Sequence, residues 1–512
     1  MTVGEIIRQT AARYPDKVGL VYGDQQYNWR EVNNRVNRLA HGLLGLGLRK
    51  GDRVAILSRN CNPYLEFYFA AAKAGLITVP LNTWLLPTEL SDLIHDSGAA
   101  GLIVDERYSD KAKGLDVDSV KHYIGLGQGH PYPLDLETLI REASDEEPDV
   151  EVKESDIFTL AYTSGTTGKA KGAMVTHKNS CTAVKTMAQE WRFQPHSVYL
   201  MHAPMFFAAG GGSRFHAVLR GSRCLIMTYD AAKALQIIEK ERVTHFSMTP
   251  TQIRRMIEHP RVREFDLSSV CQIGLIGAPH PVAEIKQVEE VFGHVWFCAW
   301  GMTETSTCGT VLQPEEVALE GPGSRRLTSV GKAEVGMEVR VVDEKGQEVA
   351  CDGEQMGEAI LRGDAVMKGY WNKPEETAEV LKGGWFYTGD LVTLDEEGYL
   401  YIVDRKKDII ISGGINISAR EVEEVIYTLP AVTHCAVIGV PHKEWGETPK
   451  AVVVKKEGMA LTEREIIEHC AKNLASFKKP TSVDFVDSLP MTASGKILKK
   501  DLRETYRTAI KH

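Results

Sequence analysis

YTSGTTGKAKG, residues 162–172, sets three glycines, four Ser/Thr hydroxyls and two lysines within eleven positions. Small residues let backbone N–H groups curl toward an anion, hydroxyls add donors, and Lys169 or Lys171 adds positive charge. The apolar run IFTLAY at 157–162 reads as a strand leading in, and Thr176 as the N-cap of a helix leading out. Strand, loop and helix in that order is a setting in which phosphates are commonly held. The spacing is not that of a Walker A loop, because Gly168-Lys169 is not followed by Ser or Thr. On its own, a Gly/Ser/Thr-rich loop is also readable as a plain polar turn.

Working outward, RVAILS at 53–58, GLIVD at 101–105, RCLIM at 223–227 and CQIGLIG at 271–277 read as buried strands. Between the first ones and the N-terminus, Val32, Val36, Leu39, Leu43 and Leu44 recur at helical spacing and predict a helix over 30–46. Strands alternating with helices predict a layered α/β body with substantial parallel pairing. EVRVVDE and GEAILRG, within 338–363, predict a small β-module appended to that body. DRKKD at 404–408 follows the strand-like GYLYIV as a charged break, which predicts a large domain over 1–403 and a small one over 408–512. In the small domain, Ser418 with Glu421 and Thr462 with Glu465 have capping-box spacing. THCAVIGV and KAVVVKK read as its strands, which makes it α+β.

The bulk numbers agree with a multidomain globular chain. It has 512 residues, 43% hydrophobic and 25% charged, with a formal net charge of −9. An acidic balance argues against a nucleic-acid partner. No uncharged apolar run approaches the length that spans a bilayer, and the N-terminus lacks the pattern of a signal peptide. Nine cysteines are scattered without a CxxC pair. That pattern fits reduced thiols and a cytoplasmic protein.

The 163–172 string resembles the signature loop of the adenylate-forming superfamily, which includes acyl-CoA synthetases, luciferases and peptide-synthetase adenylation domains. Ala170 stands where the family usually has proline. Further motifs follow in family order: LIGAPHP at 275–281, WGMTE at 300–304, GWFYTGD at 384–390, DRKKDIIISGG at 404–414 and PMTASGKILKKDL at 490–502. The resemblance implies a large N-terminal domain of β-sheets flanked by helices, an interdomain hinge at 404–407 and a mobile C-terminal lid. It implies an ATP- and Mg²⁺-dependent enzyme that joins a carboxylic acid to AMP, releases pyrophosphate and passes the acyl group to coenzyme A.

The resemblance also assigns roles. Thr163, Ser164, Gly165, Thr166, Thr167, Gly168, Lys169 and Lys171 would cradle phosphates. Gly277, Ala278, Pro279, Trp300 and Gly301 would line the adenine site, with Trp300 in the place of the family's usual tyrosine. Asp390 would accept the ribose hydroxyls, with Arg405 beside it. Thr303 would meet the α-phosphate, Glu304 would hold Mg²⁺, and Lys496 would reach in from the lid during adenylation. Lys407 would be the pivot. Gly413, Gly414, Trp445, Phe477, Lys478 and Lys479 would receive coenzyme A, whereas Lys499 and Lys500 read as a solvated basic face. The acyl pocket would draw on His202, Phe206, Phe207, Gly210, Gly277 and Met302.

Phe207 stands where relatives often carry histidine, which predicts a dry acyl pocket and an aromatic, alicyclic or medium-chain acid. Two other functions fit the same motifs: loading a carrier protein in place of coenzyme A, and nucleotide binding without catalysis. Glu304, Asp390 and Lys496 together argue against the latter.

Overall fold

The computed structural model describes residues 1–163, 170–207, 212–278, 280–406, 408–413, 415–491 and 497–509, with backbone alone at 212–214, 322, 416 and 507–509. Among these, one seven-stranded sheet runs in the order Leu134–Asp135, His122–Leu126, Gly101–Asp105, Arg53–Leu57, Ile77–Pro80, Ile157–Thr163, Lys171–Thr176. All of its neighbours are parallel except the last pair, which flanks the Gly/Thr-rich loop. A nine-stranded sheet carries Trp296–Gly301, Gln272–Leu275, His245–Met248, Val198–Met201 and Arg223–Ile226 in parallel at its centre, with antiparallel strands at both edges.

Gly101–Asp105, Ile77–Pro80, His245–Met248 and Gln272–Leu275 are buried at every position. Parallel strands must be covered on both faces, so continuous apolar runs replace alternation. The helix Asn62–Ala74 is buried along nearly its whole length and touches strands of both sheets. Its Phe69 packs on Phe215 with ring centroids 4.7 Å apart. The helix expected at 30–46 spans Trp29–Gly45, capped by Asn28 and Glu31, and buries Val32, Val36, Leu39 and Leu43.

Met337–Val342, Met356–Gly363, Leu381–Lys382, Trp385–Leu394 and Leu400–Arg405 form an antiparallel module. The charged stretch at 404–405 is not a solvated break. Arg405 still pairs with Asp390 in this sheet, and Asp404 is buried. Asp404 accepts bonds from Ser418 Oγ and Arg420 N, each 3.2 Å, and so anchors the start of the helix Ala419–Tyr427. Sheet membership changes between Arg405 and Ile410.

The C-terminal unit pairs Val432–His442 with Gly446–Lys455, and sets Ser482–Phe485 parallel beside the latter. Period-two alternation divides the first strand between two cores. Cys435 and Val437 join Val422, Ile426, Ile466 and Cys470, while Ala436, Ile438 and Val440 join Leu489 and Leu502. Thr462 and Glu465 form the expected capping box. Ser418 caps its helix by accepting from Glu421 N, but the Glu421 carboxylate turns away to pair with Lys478.

Candidate active site

Thr163, His202, Gly277, Ala278, Trp300 and Gly301 lie at or just past the carboxyl ends of parallel strands of the two large sheets, the usual place for ligands in open α/β sheets. Thr163 ends the strand before the Gly/Thr-rich loop, and Lys171 opens the strand after it. Ser164, Gly165, Thr166, Thr167, Gly168 and Lys169 lie outside the described residues, as do Gly210, Pro279, Lys407, Gly414 and Lys496.

One segment, 367–371, ties the strand that leaves the Gly/Thr-rich loop to Glu304. Met174 N donates to Gly369 O, and Lys368 N and Trp371 N donate to Met174 O and Gly172 O, at 2.8–2.9 Å. Met367 N donates to Glu304 O at 2.7 Å, and the Tyr370 hydroxyl donates to Glu304 Oε1 at 2.9 Å. Lys171 Nζ sits 5.2 Å from the Tyr370 ring centroid. Burial, the Glu304 charge and the hydrogen bond push the Tyr370 phenol up, so it remains a donor. Tyr370 was not singled out by the sequence motifs; its place two residues after Lys368 in KGYW gives no sign of its partner.

Thr303 and Glu304 stand on the short 3₁₀ turn Thr303–Thr305. Ser306 and Thr307 follow with φ of 52° and 71°. Left-handed backbone at a β-branched residue costs of order 1–3 kcal/mol. Surrounding bonds hold it there: Ser306 Oγ donates to Ala365 O at 2.9 Å, and Thr307 N to Met302 O at 2.8 Å. Gly301 is required at this turn, since a Cβ would lie 2.2 Å from Thr307 O.

Trp300 is only 8% exposed, and its indole N–H donates to Asp390 Oδ2 at 3.0 Å. The ring is therefore largely covered, and its N–H is directed to the carboxylate. Arg405 Nε pairs with Asp390 Oδ1. Asp390 itself is 2% exposed, with its N–H held by Thr388 Oγ1. Gly277, at φ 87°, follows the strand Gln272–Leu275 next to Trp300's strand, with Ala278 after it.

His202 follows the strand Val198–Met201 and is fully buried beside Tyr229, ring centroids 5.3 Å apart. Burial pushes its pKa down to about 4, so it is neutral near pH 7. Asn60 fixes this segment by donating to His202 O, Ala203 O and Met227 O and accepting from Met205 N. Phe206 and Phe207 contact each other at 4.6 Å, and Trp84 contacts both, at 5.1 and 5.4 Å. Trp84, 50% exposed in the loop after the strand Ile77–Pro80, was missed by motif reasoning. A tryptophan in the short run NTWLLP, between a strand and a proline, was the available signal. Met302 is partly buried against the main core.

In the C-terminal unit Gly413, at φ 58°, lies under the Trp445 ring and donates its N–H to Trp445 O at 2.8 Å. Trp445 and Phe477 are exposed. Lys478 is bound to Glu421 at 2.7 Å, which weakens its standing as a phosphate contact, and Lys479 is half-buried nearby in sequence. Lys499 is not part of a solvated face: its ammonium meets Glu423 at 2.9 Å, with both side chains 14% exposed, whereas Lys500 is exposed as expected.

No cluster of three or more His, Cys, Asp or Glu able to hold a metal occurs among the described residues. Mg²⁺ is commonly held by one or two carboxylates together with substrate phosphates. Glu304, partly exposed with one oxygen fixed by Tyr370, is a hard oxygen donor of that kind.

Residues 7–371 match the family model for the AMP-binding enzyme, and 421–496 that for the AMP-binding enzyme C-terminal domain. A feruloyl-CoA synthase from an Amycolatopsis species is 39% identical over 96% of both chains. The long-chain-fatty-acid–CoA ligase FadD13 of Mycobacterium tuberculosis is 34% identical over 99% of both. The crystal structure of the anthranilate CoA ligase AuaEII with anthranoyl-AMP superposes with a TM-score of 0.91 at 27% identity, covering 100% of this chain and 98% of that one. With this site on this fold, the chain belongs to the AMP-binding enzyme family and is an ATP-dependent acyl-CoA ligase, activating a carboxylic acid as its acyl-AMP and transferring it to coenzyme A.

Proposed function

We propose that the acid is aromatic or extended and apolar, and that its carboxylate is activated between the 163–171 loop, Thr303 and Glu304. The observation that carries the acid class is the Trp84–Phe206–Phe207 cluster beside neutral, buried His202. Flat apolar walls and an uncharged imidazole favour a ring or hydrocarbon over a short polar acid. The feruloyl, anthranilate and long-chain substrates in the relatives' names support the same range.

The proposed roles follow from charge. A carboxylate attacking the α-phosphate expels pyrophosphate, and negative charge accumulates on phosphoryl oxygens, so the site must supply cations and fixed donors. Lys171, Thr163 and the loop between them are assigned to the β- and γ-phosphates, and Thr303 to the α-phosphate. Mg²⁺, held by Glu304, would neutralise phosphate charge. Asp390 takes the ribose hydroxyls with Arg405 bracing it; Gly277, Ala278, Pro279 and Gly301 border the base. Lys496 serves adenylation from the C-terminal unit. That unit, from about residue 408, pivots at Lys407 to bring Gly413 and Gly414 to the adenylate for thioester formation, with Trp445 and Phe477 toward coenzyme A. The nine cysteines stand as thiols, which supports a cytoplasmic setting.

Burying a phenyl-sized group is worth roughly 2 kcal/mol at ~25 cal/mol per Å². The expected preference for benzoate, ferulate or hexanoate over acetate is therefore at least about tenfold in kcat/KM. Trp84→Ala should erode that preference while leaving acetate nearly unchanged. Coenzyme A-dependent AMP release over this panel checks it, and highest activity on acetate would overturn the acid assignment.

A further inference from the structure

Asp390 belongs to the antiparallel module, whereas Trp300 belongs to the nine-stranded sheet, and the bond between them joins the two. The indole is seated for that bond and for little else. Trp300 pairs with Thr310 across the sheet, and its neighbour Gly309 leaves the space the ring needs: a Cβ there would lie 3.2 Å from Trp300 Cε3 and 2.4 Å from Trp300 O. The ring is almost wholly covered, so its directional contribution is one N–H, 3.0 Å from Oδ2. Arg405 takes Oδ1 from the adjacent strand. Two donors from two sheets, one on each oxygen, fix the rotation of the carboxylate plane. A carboxylate oxygen accepts more than one hydrogen bond, so one bond from each of these donors does not by itself exhaust its acceptor capacity. Tyrosine or phenylalanine could supply an aromatic wall but not an N–H at this point.

We infer that Trp300 is the positioning residue for Asp390, and that its indole N–H sets how strongly this enzyme distinguishes ribo- from deoxyribonucleotides. This rests on the reading of Asp390 as the ribose acceptor. A carboxylate that loses this bond is held less firmly in its plane and offers the two hydroxyls a poorer bidentate acceptor, and the loss falls on ligands that carry the hydroxyls.

The test replaces Trp300 with 3-benzothienylalanine, which keeps the bicyclic shape and removes the N–H, alongside Trp300→Phe. Calorimetric affinities for AMP, 2′-deoxy-AMP and 3′-deoxy-AMP are compared with those of the parent enzyme and of Asp390→Asn. AMP should bind about tenfold more weakly to the benzothienyl variant, the size expected for one bond to a charged acceptor. The deoxynucleotides should change little, so the ratio between them and AMP shrinks about tenfold. A platform or purely structural role would weaken all three alike and leave the ratio intact, which would overturn the inference. If Asp390→Asn collapses the ratio and the benzothienyl variant does not, only the role of Trp300 falls. If Asp390→Asn leaves the ratio untouched, the ribose reading of Asp390 falls first. The near-isosteric variant keeps the test decisive should Trp300→Phe fold poorly.

Discussion

Tyr370 sends its hydroxyl to Glu304 and its ring to Lys171, so one side chain spans the proposed metal carboxylate and the exit of the phosphate loop. Removing the hydroxyl leaves the ring and its packing in place but frees the carboxylate to rotate. Tyr370→Phe should therefore raise the Mg²⁺ concentration needed for half-maximal ATP binding by about tenfold, the equivalent of one charge-assisted hydrogen bond. Titrating Mg²⁺ against calorimetric ATP affinity measures this, and an unchanged midpoint would remove Tyr370 from the site. None of this was legible in the motifs. Glu304 was readable because WGMTE names it, whereas its partner lies 66 residues on and depends on the segment 367–371 lying along Gly172–Met174.

The helix Lys499–Ala509 follows the segment that carries Lys496 and is fastened at two points. Lys499 meets Glu423, and Arg503 meets Asp408 at 2.7 Å. Glu423 also accepts from Val437 N at 2.6 Å, so it cannot simply turn to solvent. Lys499→Met leaves that carboxylate buried without its cation, a loss of about 3–5 kcal/mol. In a unit of this size the calorimetric transition of the C-terminal unit should fall by more than about 10 °C. Adding Glu423→Gln, which keeps the acceptor for Val437 and removes the charge, should recover most of it. A single variant that melts like the parent would refute the buried pairing. The sequence showed where these elements are: strand runs, the helix over Trp29–Gly45 and the Thr462 cap all follow from spacing between near neighbours. It did not show which charges are buried. Lys499 and Asp404 sit in charge-rich runs, and a run resembles a solvated face until another element covers part of it. For the same reason the expected boundary at 404 fell inside a strand that continues to Arg405.

Across the whole molecule, stability should carry a pH signature from Glu334, buried where the edge of the nine-stranded sheet meets the module. It accepts from Gly309 N at 2.8 Å. Burial, reinforced by Glu190 and opposed by the Gly309 and Cys308 bonds, pushes its pKa up to about 8 from an ordinary 4.5. The folded state then holds a proton that the unfolded chain releases. Stability from this group is complete below about pH 4.5 and is lost as pH rises toward 8, at about 1.4 kcal/mol per unit of difference. Glu334→Gln should flatten the decline between pH 5 and 8 in chemical denaturation, and an equal slope in both proteins would show that Glu334 is ionised throughout. The same architecture bears on how the protein is made. Lys171 meets Tyr370, and Trp300 meets Asp390, which meets Arg405, so the proposed nucleotide site is complete only near the end of the large unit. On the ribosome, where chains emerge from the N-terminus at about 5–20 residues per second, most of the nascent large unit must be held together without ATP. A ligand stabilises only a state that can bind it, and cellular ATP therefore protects the finished enzyme but cannot rescue its synthesis intermediates.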